Sequence, residues 1–287
     1  MSAAAAVPLP GDAADLRPGP LLRLRQLLAV MQFFVRINLG AKRLWIVGLL
    51  LLLPTLVPLS YRIIKIFAPE IGPIPPAMML FQGLVAVAYL RVGIYILALV
   101  YGLAIVSDEV ESKTLVHLLL RPIPRWTLVV GKFLAAWLLT GVILVVSVAL
   151  TYALLFAVQD DPVNRSAGLL GGNLKTLLIT AVLLLLALGA YLAFFSTLGA
   201  WLAHGERWGV VFAWGWESLI TYLPARLKWL TIMYHLQTLF PYEVSTMGLF
   251  RLQGEPLSKP SAIGVILAVM IASLALTIWN VKRREIK

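Results

Sequence analysis

Cysteine is absent from the 287-residue chain. That excludes disulfides, thiolate zinc sites, iron–sulfur clusters and thiol catalysis. Charge is scarce: 13% of residues are charged, against about 25% in soluble globular proteins, which excludes a soluble domain. Disorder is excluded too, because 61% of the residues are apolar and disorder needs low hydrophobicity. The phosphate-binding pattern G-x-x-x-x-G-K-[ST] does not occur. Gly131-Lys132 is followed by Phe133, so the chain cannot bind ATP by such a loop. His117, His204 and His235 fall on different segments, leaving no visible metal cluster. Ser147, Ser196 and Ser273 lie in apolar stretches without histidine, which speaks against a serine triad. No apolar stretch holds the aspartates of an intramembrane aspartyl protease.

Apolar sequence is what remains, with a mean hydropathy of +0.91. Divided by the ~20 residues that one bilayer crossing needs plus its connectors, the length gives about five to eight crossings. The net charge of +11 then points to cytoplasmic loops and anionic lipid headgroups rather than nucleic acid.

Residues 1–20 are rich in Ala, Pro and Gly and read as a disordered cytoplasmic tail. Over 21–43, Gln32, Arg36 and Arg43 fall within about 20° of Arg25 at 100° per residue. A basic stripe on an otherwise apolar helix suits an elbow lying in the headgroup plane. A spanning helix here would bury Arg36 and Asn38 in lipid.

Six crossings follow, at about 44–61, 80–106, 133–157, 174–203, 208–223 and 260–281, together forming one six-helix transmembrane domain over 44–281. Lys42-Arg43-Leu44-Trp45 anchors the first, and Pro54 and Pro58 are positioned to kink it. The outer segment 224–259 reads as one or two helices broken near Pro241, and 282–287 as a basic tail. Fifteen Lys and Arg lie on the proposed inner segments and eight on the outer ones, with Arg91 inside a crossing. This bias and the even crossing number put both termini in the cytoplasm.

The most polar stretch of the middle chain is 107–132. Asp108 and Glu111 form a variant capping box, Glu109 and Lys113 an i,i+4 pair, and Leu115, Leu118 and Leu119 an apolar face. Arg121-Pro122-Ile123-Pro124-Arg125 stops the helix. A capped amphipathic helix over 108–121, held between two crossings, can transmit force from a cytoplasmic partner. A solvated loop with ordinary capping fits the same residues.

The run Ile105-Val106-Ser107-Asp108-Glu109-Val110-Glu111-Ser112-Lys113-Thr114-Leu115, then Leu120-Arg121-Pro122-Ile123-Pro124-Arg125 and Gly131-Lys132, resembles the permease subunits of type-2 ABC exporters. Those carry an acidic E-x-E-x-G/K-T-L segment, a P-[IV]-x-R turn and a G-K entry to the third helix. The motif match covers residues 105–132, and the layout is similar over most of the chain. Lys113 stands where glycine is frequent. The resemblance implies an all-α membrane protein with six transmembrane helices, an elbow and a coupling helix. It implies a second permease copy and two copies of a separate ABC ATPase, which holds ATP and Mg; this chain itself holds no cofactor and no metal. It implies a multi-pass protein of a bacterial or archaeal plasma (inner) membrane. Carried over by position, the ATPase-coupling residues are Glu109, Glu111, Thr114, Arg121, Pro122 and Arg125.

Arg91 and Glu217 lie inside apolar stretches, where ionisable side chains are costly and face a bundle interior or a cavity. They read as a structural pair or as a cargo-facing or gating set. Two other functional classes stay open. A secondary transporter or channel often shows an internal repeat, and none is found between 44–157 and 174–281. A membrane-embedded enzyme needs clustered polar catalytic groups near an interface.

Overall fold

The computed structural model describes residues 20–67, 77–106, 124–158, 174–202, 205–216, 229, 231–241 and 258–283. Among these residues the secondary structure is helical, without strands. Five helices are long and apolar enough to cross a membrane: Lys42–Ile64, Ala77–Gly102, Arg125–Phe156, Leu174–Trp201 and Lys259–Arg283. A further helix begins at Gly205 and is described to Trp216. The rest of the expected fifth crossing, 217–223, lies outside the described residues.

Helix α1 (Pro20–Leu39) ends in a turn at Gly40 and Ala41. Asn38 closes it by returning its amide Nδ2 to Phe34 O at 2.8 Å, and Ala41 is extended. The first crossing joins α2 (Lys42–Leu52) and α3 (Leu56–Phe67) through a tight 3-10 turn at Leu53–Thr55. Pro54 causes that turn, since it has no N–H to continue the ladder. Leu53 N instead bonds Leu50 O, and Thr55 Oγ1 bonds Leu52 O at 2.5 Å. The helix runs to Phe67, so Arg62, just past the expected end of the crossing at 61, continues it.

The second crossing alternates α4 (Ala77–Leu84), a π-helical stretch (Val85–Gly93), α5 (Ile94–Leu97) and a second π stretch (Ala98–Gly102). Its wide i→i+5 bonding includes Ile94 N to Tyr89 O. Wide turns shorten a helix per residue, which offsets part of this crossing's excess length over the hydrocarbon layer. The third crossing, α6 (Arg125–Val158), has 34 residues. At 1.5 Å per residue it is about 51 Å long, well beyond the ~30 Å hydrocarbon layer, so one end projects. Helix α1 packs along that first part of α6: a side chain at Gly131 would sit 2.9 Å from Val30 Cγ1.

Helix α7 (Leu174–Trp201) is central. Its most extensive partner is α10 (Lys259–Arg283), joined by Thr197 Oγ1 to Ser273 O at 2.9 Å and by Ser196 with Thr277 at 3.1 Å. The second crossing also meets it backbone to backbone. A Cβ at Gly102 would stand 2.9 Å from Leu192 O, and one at Gly199 2.8 Å from Leu103 O, so only glycine permits this approach. Helix α8 (Gly205–Val210) continues into π turns at Val211–Trp216, and the short α9 (Ile232–Leu239) packs on α7 and α10. Thr231 caps α9 by accepting from Tyr234 N, and Pro241 follows its end.

Candidate functional site

Two polar regions are built into this apolar bundle. The first lies deep between the first three crossings. The 3-10 turn at Pro54 leaves Leu51 O free of the helical ladder, and Ser147 Oγ of α6 donates to it. Tyr89 OH then lies 2.8 Å from Ser147 Oγ and 2.6 Å from Thr151 Oγ1. All three side chains are buried, so each hydroxyl needs a partner. Ser147 is thus a structural hydroxyl satisfied by backbone and tyrosine. Nearby, Tyr95 bridges the second crossing to α7 through Tyr191, ring centroids 4.9 Å apart, and to Trp214 at 6.1 Å.

The second region is one end of the bundle, where α2, α6 and α8 begin and the second crossing, α7 and α10 end. Arg43, in the first turn of α2, donates from Nε and Nη2 to Asn38 Oδ1 at 3.0 and 2.5 Å. Its guanidinium lies 5.3 Å from the centre of the Tyr101 ring. Lys132, 9% exposed, donates to Ile105 O at 3.2 Å. Its ammonium stands 6.0 Å from the Phe34 ring of α1. Arg125 donates from Nη1 to Val281 O at 3.2 Å and Lys282 O at 2.6 Å. Trp201 stacks on Trp279 at 5.8 Å, and Arg283 covers Trp279 at 3.9 Å. Five exposed tryptophans mark this end, namely Trp45, Trp126, Trp201, Trp208 and Trp279. Lys42, Arg125, Arg207, Lys282 and Arg283 lie within a few residues of them. A tryptophan ring with adjacent cations is the pattern of a membrane–water interface.

The expected site residues divide accordingly. Glu109, Glu111, Thr114, Arg121, Pro122 and Glu217 lie outside the described residues. Arg125 stands at the exit of that segment, bound to the end of α10. Arg91 is half-buried in the π-helical stretch of the second crossing, between Tyr89 and Tyr95. Arg25 and Arg36 lie on α1, away from the buried contacts of the basic end. Arg43 does not share their helix, because the turn at Gly40 places it in α2. Asn38, Tyr101 and Ile105 join the basic end, although no local pattern in the sequence marks them for it. Among the described residues no group of His, Asp and Glu could hold a metal ion.

Several long apolar helices, a deep seam of hydroxyls and a belted basic end define a multi-pass helical membrane protein. The chain matches the ABC-2 family transporter protein family over residues 36–286. It belongs to that family, as the membrane domain of an ABC transporter. Comparison with curated proteins finds no match.

Proposed function

We propose that the chain is the membrane-spanning subunit of an ATP-driven exporter, paired with a second copy. A separate ABC ATPase, also in two copies, binds ATP and Mg and drives the segment 108–121. Glu109, Glu111, Thr114, Arg121 and Pro122 meet the ATPase, with Arg125 where the segment re-enters the bundle. Both termini lie in the cytoplasm beneath a bacterial or archaeal inner membrane, the basic end facing inward, with α1 at the headgroup level on the projecting start of α6. The fifth crossing is completed by residues 217–223.

The observation that carries this reading is the anchoring of the described residues that flank 107–123. Lys132 holds Ile105 at the entry, and Arg125 holds α10 at the exit. A segment with fixed ends passes displacement into the bundle, where a free loop would absorb it. The family match supports the same reading.

The test is purification of the full chain from its own membrane. The expected result is a complex of two permease chains with two ATPase chains that hydrolyses ATP. A chain recovered alone, with no hydrolysis in any fraction, would contradict it.

A further inference from the structure

The last carbonyls of a helix have no partner within it and carry the negative end of its dipole. A glycine just past the end often folds back to satisfy them. Helix α10 is described to Arg283, and Arg284 rather than glycine follows it in the sequence. Val281 O and Lys282 O accept from a distant part of the chain, the guanidinium of Arg125. This places a third cation beside Lys282 and Arg283, against charge repulsion. The carbonyl dipoles and the withdrawal of Arg283 onto Trp279 make the arrangement favourable. Trp279 in turn stacks on Trp201, the last residue of α7. One continuous path of contacts therefore runs from Arg125, at the start of α6, to the ends of α10 and α7.

We propose that Arg125 is a positioning residue that makes the end of α10 follow the start of α6, so that motion of the segment before it reaches the most extensively packed helix pair. This deepens the exporter reading and rests on it. It differs from the role that the family resemblance implies for Arg125, contact with the ATPase. A residue that docks the ATPase is needed for the complex to form. A strut is needed for motion after it has formed.

Arg125→Ala and Arg125→Lys, made in the full chain, separate these roles. Hydrogen exchange of the purified permease needs no ATPase. In Arg125→Ala, amides of residues 278–283 should exchange roughly tenfold faster, as expected for loss of a charged hydrogen bond, with partial recovery in Arg125→Lys. In the complex, spin labels at Ile46→Cys and Leu276→Cys report the distance between the first and last crossings, with no native thiol to interfere. Nucleotide should shift that distance in the labelled parent. Arg125→Ala should abolish the shift while retaining the ATPase in the same amount. Unchanged exchange at 278–283, loss of the ATPase from Arg125→Ala, or a nucleotide shift that survives the substitution would each overturn the proposal. If the unsubstituted chain brings no ATPase with it, the exporter reading fails and the transmission falls with it; the exchange result still judges the Arg125 hydrogen bonds by themselves.

Discussion

The ammonium of Lys132 lies 3.2 Å from the carbonyl oxygen of Ile105, so the first turns of the third crossing hold the last turn of the second. The carbonyl lies in the last described turn of the second crossing. Lys132 is almost fully buried, and its charge is offset by this carbonyl and by the ring of Phe34. Lys132→Met should therefore remove this donor from Ile105 O and lower stability by about 2 kcal/mol, the range for a hydrogen bond to a charged group. Thermal unfolding of the purified permease checks this. An unchanged midpoint would show that the two crossings are held by packing alone.

The seam around Tyr89 gives a ranked expectation. Ser147→Ala removes the donor to Leu51 O, an acceptor exposed by the Pro54 turn. Tyr89→Phe removes a bridge between hydroxyls that retain other bonding options. Hydrogen bonds between membrane helices average about 0.6 kcal/mol and reach about 1.7 kcal/mol. Ser147→Ala should fall near the upper figure and Tyr89→Phe near the lower. Thermal stability of the two variants decides, and the reverse order would contradict the account.

Arg91 and Glu217 are expected to approach each other in at least one transport state. A lone charge at the bilayer centre costs roughly 2.5–3.5 kcal/mol on insertion scales. Removing one member of a pair leaves the other uncompensated. The double variant Arg91→Met with Glu217→Gln should then be tolerated better than either single change, read as a double-mutant cycle of thermal stability. Strictly additive effects would assign the two residues separate roles.

Topology follows from the belt of tryptophans and cations. Single cysteines at Ser112 and Ser166 should react with a membrane-impermeant reagent from opposite sides, Ser112 from the cytoplasm. Reaction of both from one side would remove the six-crossing arrangement.

Much of this architecture was legible in the sequence. Apolar runs located the described crossings, and the turn at Pro54 lies where proline makes a kink expected. Boundaries drifted where helices continue past the apolar stretch: α6 begins at Arg125, eight residues before its expected start at 133. The basic stripe assumed one continuous helix from 21 to 43, and the turn at Gly40 moves Arg43 out of it. The π turns of the second crossing leave no mark, because Val-Ala-Val-Ala-Tyr-Leu-Arg-Val-Gly suits an ordinary apolar helix equally well. The grip of Arg125 on Lys282 spans 157 positions, and no local pattern encodes an interaction of that separation. Lys132 was visible as half of a motif, but its partner could be found only once the second and third crossings lay side by side.

The central claim is that segment 108–121 receives the ATPase, and ATPase recovery with Glu109→Ala combined with Arg121→Ala tests it most directly. Removing one charged group from a partly buried interface costs on the order of 1–3 kcal/mol. The variant should therefore reach the membrane in normal amount, keep the thermal stability of the parent permease and retain no more than about a tenth of its copurifying ATPase, since tenfold corresponds to about 1.4 kcal/mol. Full ATPase recovery with unchanged hydrolysis by the complex would contradict the account.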